Sequence, residues 1–312
     1  MIVTQTMSGN FHVLLKRFYA VEVRGMAGPT KFDSASFKQS TRDQWDHAAE
    51  AWNRWGSLLE QWCGEHTAKM LDMAGVQLGH RVVDIAAGGA GRVLPLPCES
   101  GRKVYVLATD LSPTILAYAE QNARAFGLTN LETRVVDGES LNELPRESFD
   151  AAISRFGVMY FPDKKTALSG IRHVLKPGHK FAAMVFTTAE RNPFFSIPIS
   201  TIRRRAKLPP PLPGQPGPFS VGAPGALDAE LASAGFREVQ SQAFPAPLRM
   251  QSAAECVRFE RESFGALHEM MSAMSEAERQ DTWAEVYQAL QQFESAGGFE
   301  APCEILISAG TK

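Results

Sequence analysis

Short apolar runs alternate with helix-like segments through the middle of the chain. The first run, RVVDIAAGGAG from Arg81 to Gly91, has the continuous apolar character of a buried parallel strand and ends in glycines. Four more strands are predicted after it, in the segments KVYVLATD, LETRVVD, ESFDAAISRFGVMYF and KPGHKFAAMVFTT. Strands separated by helices at this spacing predict βαβ units, a parallel sheet and right-handed crossovers.

Two of the intervening helices have clear boundary signals. In SPTILAYAEQNARAFG, Ser112 suits the N-cap, Pro113 suits the first turn and Gly127 suits the stop. The other helix, KKTALSGIRHVL, opens after Pro162 and Asp163. The segment RVLPLPCESGR has no such signals, and its prolines at 95 and 97 predict an irregular connection where a helix is expected.

A tryptophan-rich helix is predicted ahead of the first strand, over residues 40–78. Trp45, Trp52, Trp55 and Trp62 are spaced by seven, three and seven residues, which gathers them on one helical face. This face either packs on the core or forms a lid over a ligand. Residues 1–39 are expected to be a loosely attached arm, or sequence upstream of a start at Met26.

The chain changes character after the fifth strand. Residues 190–225 are rich in proline and carry interspersed phenylalanines, so they are either an exposed linker or an insertion that covers the substrate; the aromatic residues favour the insertion. A long helical stretch is predicted over residues 252–297, as part of the substrate cover. The final segment CEILISAG is predicted to be the last strand.

Composition and charge restrict the function classes. The 312 residues are 44% hydrophobic and 21% charged, as in a globular protein with a substantial core. A net charge of −2 favours neither nucleic acid nor an anionic membrane as partner, and no apolar run is long enough for a membrane span. The four cysteines are scattered without metal-ligand spacing, so no metal site is predicted and a reduced, cytoplasmic location is expected.

Acidic residues follow successive predicted strands. Asp84 lies beside the glycine turn, Asp110 ends the second strand and Asp137 ends the third. Parallel strands bring these positions to one sheet edge, where ligands of open α/β sheets bind, and the place of Asp110 suits a carboxylate that accepts from ribose hydroxyls. The loop reads GGAG and lacks G-x-G-x-x-G, which disfavours a dinucleotide-dependent oxidoreductase.

Five segments in order, VVDIAAGGAG, ATDLSPTILAYA, VVDGESL, FDAAISRFGVMYFPD and IRHVLKPGHKF, resemble the class I S-adenosylmethionine-dependent methyltransferases. The resemblance is to the ubiquinone/menaquinone-biosynthesis branch. It implies an α/β, Rossmann-like, doubly wound sheet of seven strands, mostly parallel with an antiparallel last strand. A single methyltransferase domain over residues 40–312 would then carry the N-terminal helical lid and the inserted segment.

The resemblance also implies a role for each matched residue. The first loop would lie near the methionine part of the cofactor, Asp110 would bind the ribose and Asp137 would accept from the adenine amine. The end of the fourth strand would approach the sulfonium. The implied cofactor-binding residues are Asp84, Ala86, Gly88, Gly89, Asp110, Leu111, Asp137, Gly138, Glu139, Ser154, Arg155 and Phe156. This sequence departs from the family at Ala90, at the two prolines and at His179, where the family usually has glycine, a regular helix and glycine.

Methyl transfer from a sulfonium is a direct displacement, in which the protein supplies positioning and desolvation. The residues expected to wall the acceptor pocket are Trp45, Trp52, Tyr160, Phe194 and Phe195. Such walls predict a small or medium-sized apolar or aromatic acceptor. No general base stands out, and His173 is interpreted as structural. Two alternatives stay open, a degenerate cofactor-binding protein and an NAD(P)-dependent oxidoreductase.

Overall fold

A computed structural model describes residues 32–89, 103–212 and 214–312. Residues 34–312 form one compact unit. Only residues 32–39 of the expected N-terminal arm are among the described residues. The connection that holds Ala90 and the prolines at 95 and 97 lies outside them.

A twisted sheet of seven strands forms the centre of this unit, in the order β3-β2-β1-β4-β5-β10-β6. The strands β1 to β5 pair in parallel, and β10 pairs antiparallel with both β5 and β6. Their bounds are β1 Arg81–Ile85, β2 Tyr105–Asp110, β3 Leu131–Val135, β4 Phe149–Arg155, β5 Leu175–Phe186, β6 Arg237–Pro245 and β10 Glu304–Thr311. The predicted seven-stranded, mostly parallel α/β sheet with an antiparallel last strand is confirmed.

Helices cover this sheet and a small second sheet accompanies it. The helices are α1 Ser34–Arg54, α2 Gly56–Met73, α3 Pro113–Ala125, α4 Lys164–Val174, α5 Pro193–Arg205, α6 Ala226–Ser233, α7 Ala253–Ser263, α8 Gly265–Met270 and α9 Glu276–Leu290. The second sheet is formed by β7 Leu248–Met250, β8 Glu294–Ser295 and β9 Gly298–Ala301. None of the helices in the described ranges has the length and apolarity that crossing a membrane requires.

Two long helices predicted from the sequence are each divided. The helix expected over 40–78 begins at Ser34 and is interrupted at Trp55, next to Gly56, a residue type that weakens a helix. The stretch expected over 252–297 contains three helices. The first break precedes Gly265, and the last helix restarts at Ser275 with a capping box that pairs it with Glu278.

The proline-rich segment is held against the sheet rather than hanging free. Its first part is α5, and the backbone N–H of Gly217 and the hydroxyl of Ser220 both donate to the carbonyl of Met159, at 3.0 and 2.7 Å. Phe219 contacts the rings of Phe186 and Phe195. These contacts do not fit an exposed linker.

The strand register brings the carboxyl ends of β1, β2, β3 and β4 to one edge. Asp84 lies beside Ala108 of β2 and Ile153 of β4, and all three are fully or almost fully buried. The next residues of each strand therefore open onto the same crevice, between the sheet edge and helix α1.

Candidate active site

A large cavity lies at this sheet edge, with a volume of about 1500 Å³ when its open mouth is included. The loop after β1 and the ends of β2, β3 and β4 form its floor. Helix α1 covers it with Phe37, Lys38, Thr41, Trp45 and Trp52.

The loop after β1 has an unusual backbone conformation. Ala86 has a φ of 56°, in the left-handed region that residues with a Cβ rarely adopt, and Gly88 has a φ of 60°. Both residues line the cavity, as does Gly89. The Gly88 N–H donates to Asp110 Oδ2 at 2.9 Å, so the second strand fixes the shape of the first loop.

Asp110 is a buried carboxylate that lines the same cavity. Its other oxygen, Oδ1, accepts from the Ser112 N–H at 3.0 Å. Burial raises the pKa of Asp110, and the N–H groups of Ser112 and Gly88 oppose that shift by stabilising the ionised form. Each carboxylate oxygen retains a further acceptor position, as a ribose hydroxyl would require. Leu111 follows it on the cavity wall.

Asp84 lies just behind the cavity wall and does not line it. It is 1% exposed, and its Oδ1 has no hydrogen-bond partner among the described residues. Burial raises the pKa of Asp84 to about 7, although the nearby Arg155 guanidinium favours its ionised form.

The end of β3 is tied to helix α1 by a lysine. The Lys38 ammonium donates to Asp137 Oδ2 at 2.7 Å and to Glu139 Oε2 at 2.8 Å; we call these two ion pairs the Lys38 clasp. Asp137 and Gly138 line the cavity, whereas Glu139 lies outside the lining and also accepts from the Asp163 N–H at 2.8 Å. The carboxylate predicted to bind adenine therefore already holds the lid.

At the end of β4 the predicted residues separate into two groups. Arg155 and Phe156 line the cavity, and Phe156 has a φ of 58°. Ser154 is fully buried and donates to the Ile85 carbonyl at 2.9 Å, so it supports the β1 loop from behind. The next residue, Gly157, also lies on the wall, against Ala86.

Aromatic rings form part of the cavity wall. Trp45 lies 5.4 Å from Trp52 and 6.4 Å from Tyr160 between ring centroids, and Phe264 contacts Trp52 at 5.6 Å. All four line the cavity. We call this group the aromatic chamber.

Two residues expected in the acceptor pocket are placed elsewhere. Phe194 and Phe195 are buried at the start of α5 and do not line the cavity. Their rings pack on Phe186 because Asn192, fully buried ahead of them, fixes the start of the helix through bonds to Thr187 and Thr188.

Sequence reasoning missed several residues that shape the site. Lys38 gave no signal, since its partners are about a hundred positions away. Asp46 on α1 accepts from the Ser112 hydroxyl and the Thr114 N–H, which ties the lid to the start of α3. Trp62, Phe264 and Gly157 also reach the cavity. The tryptophan spacing on the predicted helix was the one available signal for part of this wall.

The comparisons with known proteins agree with this architecture. Residues 60–200 match the model of the ubiE/COQ5 methyltransferase family. The chain is 27% identical over 127 residues to the ubiquinone/menaquinone biosynthesis C-methyltransferase UbiE of Pasteurella multocida, covering 41% of this chain and 47% of that protein. It is 33% identical over 142 residues to an uncharacterized Mycobacterium tuberculosis protein, covering 44% and 49%. The chain thus spans about half the length of these curated relatives.

A solved structure shows the same fold. The YcgJ protein from Bacillus subtilis superposes with a TM-score of 0.53 at 18% identity, covering 80% of this chain and 98% of that one. This likeness confirms the predicted fold. The match of residues 60–200 to the ubiE/COQ5 methyltransferase family supports the resemblance inferred from the five sequence segments, to a class I S-adenosylmethionine-dependent methyltransferase of that branch, and the cofactor that it implied.

Proposed function

We propose that this protein transfers the methyl group of S-adenosylmethionine to a small or medium-sized, apolar or aromatic organic acceptor. The observation that carries the proposal is a single cavity with two kinds of lining. Asp110 and Asp137 line it together with the rings of the aromatic chamber. Such a cavity suits a polar nucleoside beside an apolar molecule.

The residues at the sheet edge fit the cofactor. The glycines of the first loop allow close approach, Asp110 would accept from the ribose hydroxyls, and Asp137 would accept from the adenine amine. The unpartnered oxygen of Asp84 lies beside the loop, near where the methionine part would lie. When bound, the sulfonium supplies the activated methyl group; the chain orients it and excludes water.

The lining of the chamber supports an apolar or aromatic acceptor. Trp45, Trp52, Tyr160 and Phe264 provide flat apolar walls that would pack on a ring. Helix α1 closes over them and limits the size of what can enter. A polynucleotide would need an open, basic groove, which this aromatic enclosure does not resemble.

Calorimetry with S-adenosylmethionine, S-adenosylhomocysteine and NAD tests the proposal. We expect the first two to bind, NAD not to bind, and Asp110→Ala to weaken binding at least roughly tenfold through lost charge-assisted hydrogen bonds. Asp150→Ala is the matched control, because Asp150 lies at the opposite end of β4, where it pairs with Lys176 at 2.6 Å.

The outcomes separate the alternatives. Binding of NAD alone would favour the oxidoreductase and overturn the proposal. Cofactor binding without methylated product, detected by mass spectrometry over a panel of phenolic and other aromatic acceptors, would favour the degenerate cofactor-binding protein.

A further inference from the structure

Tyr160 brings a hydroxyl group into the aromatic chamber. It ends the short turn Val158–Tyr160 after β4, where its backbone N–H donates to the Gly157 carbonyl at 2.9 Å. Its ring lines the cavity and meets Trp45 nearly edge-on, with 6.4 Å between the ring centroids and 79° between the planes. The backbone and the ring are both held in place, so the hydroxyl belongs to a fixed part of the cavity wall.

The Tyr160 hydroxyl forms no hydrogen bond with another residue in the described ranges. This distinguishes it from two other polar rings of the lining. The Trp52 indole N–H donates to the Ser263 carbonyl at 2.8 Å, and the Trp62 indole N–H donates to the Ala246 carbonyl at 2.7 Å. Those two donors are satisfied within the protein, whereas the Tyr160 hydroxyl is left for a ligand.

This hydroxyl acts as a hydrogen-bond donor at neutral pH. Burial raises the pKa of the Tyr160 phenol, and the nearby Glu260 carboxyl on α7 raises it further. The phenol therefore keeps its proton and does not serve as a base. A hydroxyl that is removed from water without a partner costs free energy, and an oxygen atom of a bound molecule would remove that cost.

We propose that Tyr160 determines which acceptors bind, by donating its hydroxyl hydrogen to an oxygen atom of an aromatic acceptor. This inference rests on the proposed methyltransferase function. It specifies the acceptor class as aromatic compounds that carry a carbonyl group or another oxygen with a free lone pair. The rings of the chamber would pack on the apolar faces of such a molecule, and the hydroxyl would fix its rotation within the chamber.

An oxygen-bearing acceptor suits this donor better than an amine or a hydrocarbon. A neutral amine has one lone pair, and a hydrogen bond from Tyr160 would occupy the electrons that must attack the methyl group. A carbonyl oxygen has two lone pairs, so it can accept from Tyr160 while another atom of the same molecule reacts. A hydrocarbon would leave the hydroxyl unpaired. Tyr160 keeps its proton throughout, so it selects and orients the acceptor.

Two nearly isosteric ligands test this hydrogen bond. 2-Acetylnaphthalene has a carbonyl oxygen where 2-isopropenylnaphthalene has a methylene carbon, and each is titrated by calorimetry into the full chain with S-adenosylhomocysteine present. The ratio of their dissociation constants is compared between proteins, because the difference in hydrophobicity of the two ligands then cancels. In Tyr160→Phe the ratio should move against the ketone by roughly three- to tenfold relative to the unmodified protein.

Infrared spectroscopy supplies a readout that a merely structural role would not change. A hydrogen bond weakens the carbonyl bond, so the carbonyl stretch of bound 2-acetylnaphthalene should lie at a lower frequency in the unmodified protein than in Tyr160→Phe. Tyr287→Phe on α9 is the matched control, because the Tyr287 hydroxyl lies outside the cavity lining and accepts from Gln291 Nε2 at 3.1 Å. This control should change neither the ratio nor the frequency.

The inference is overturned if 2-acetylnaphthalene fails to bind while S-adenosylhomocysteine binds, or if Tyr160→Phe leaves either the ratio or the carbonyl frequency unchanged. It is also overturned if Tyr160→Phe weakens binding of S-adenosylhomocysteine about tenfold, since the hydroxyl would then serve the cofactor. The proposed function fails separately, because it is judged by binding of S-adenosylhomocysteine to the unmodified protein.

Discussion

Asp84 couples the stability of the fold to pH. Its carboxyl is almost fully buried and its pKa in the folded state is about 7, against about 3.9 for an unperturbed aspartate. The folded state therefore retains a proton that the unfolded state has lost. The stabilisation from this proton is complete at pH values below the pKa of Asp84 in the unfolded state. It is lost as the pH rises through about 7, the pKa in the folded state.

Asp84→Asn removes this dependence. Between pH 5 and pH 8 the unmodified protein should lose about 2 to 3 kcal/mol of its free energy of unfolding through Asp84. The variant should not show this loss, so its free energy of unfolding rises by that amount relative to the unmodified protein. Urea unfolding at the two pH values measures the difference. Asp150→Asn is the control: the pKa of Asp150 is lowered, so this acid is ionised in both states over that range. An equal response from the two variants would contradict the burial of Asp84 as described.

Gly157 leaves room for the cofactor loop. A Cβ at this position would lie 2.6 Å from the Ala86 Cβ and 2.6 Å from the Ser154 hydroxyl, too close for either. Gly157→Ala should therefore lower the free energy of unfolding by about 1 to 3 kcal/mol and weaken binding of S-adenosylhomocysteine, because the Ala86 loop must move.

Gly89→Ala is the matched control for that substitution. Gly89 lines the same cavity, but an added Cβ there meets no atom of the described residues within 4 Å. Chemical denaturation and calorimetry on the two variants distinguish a steric effect at Gly157 from a general loss of glycine flexibility, which would affect both alike.

At the scale of the elements, helix α1 covers the cavity and is held there by identifiable attachments. The Lys38 clasp ties its first turns to the end of β3, and Asp46 ties its middle to the start of α3. Trp52 and Arg54 join its last turns to Ser263 and Glu262 of α7.

Lys38→Met should loosen the lid without unfolding the protein. We expect faster hydrogen exchange in α1 and release of S-adenosylhomocysteine about two- to fivefold faster, in line with the small energy of partly exposed ion pairs. Raising the salt concentration should accelerate release from the unmodified protein and have less effect on the variant. Lys69→Met on α2 removes an exposed lysine that forms no ion pair within the described part of the chain, and it should change neither rate.

The sequence predicts the elements at the sheet edge better than those above it. Apolar runs locate β1 and β2, and Ser112 caps α3 as expected, its hydroxyl oxygen accepting from the Ile115 N–H. The breaks at Trp55 and before Gly265 were missed, since helical periodicity continues across both. Attachments such as the Lys38 clasp depend on distant side chains meeting, which periodicity does not encode.

For the whole molecule, the order of the strands places Asp84, Asp110 and Asp137 at one edge of the sheet. Helices around the sheet supply most of the aromatic chamber. The family match covers residues 60–200 and includes the floor of the cleft. Helices α1 and α7 both lie outside that segment; α1 contributes Trp45 and Trp52 to the cavity, and α7 contains the buried Glu260. Under the proposed function, acceptor choice would depend on these two helices.

Phe194 and Glu260 show why the acceptor side was harder to predict. Phe194 belongs to an aromatic-rich segment that suggested a pocket wall, yet its ring packs into the core beneath. Glu260 stands in a helix with a polar composition, where an acid is normally solvated, yet its side chain is fully buried.

The most direct test of the whole account is a crystal structure of the full chain grown with saturating S-adenosylhomocysteine. We expect the adenosine to lie across the sheet edge, with its ribose hydroxyls on Asp110, its adenine at Asp137 and its sulfur facing the aromatic chamber. An empty cleft at saturating ligand, or a ligand bound away from Asp110, would contradict the account.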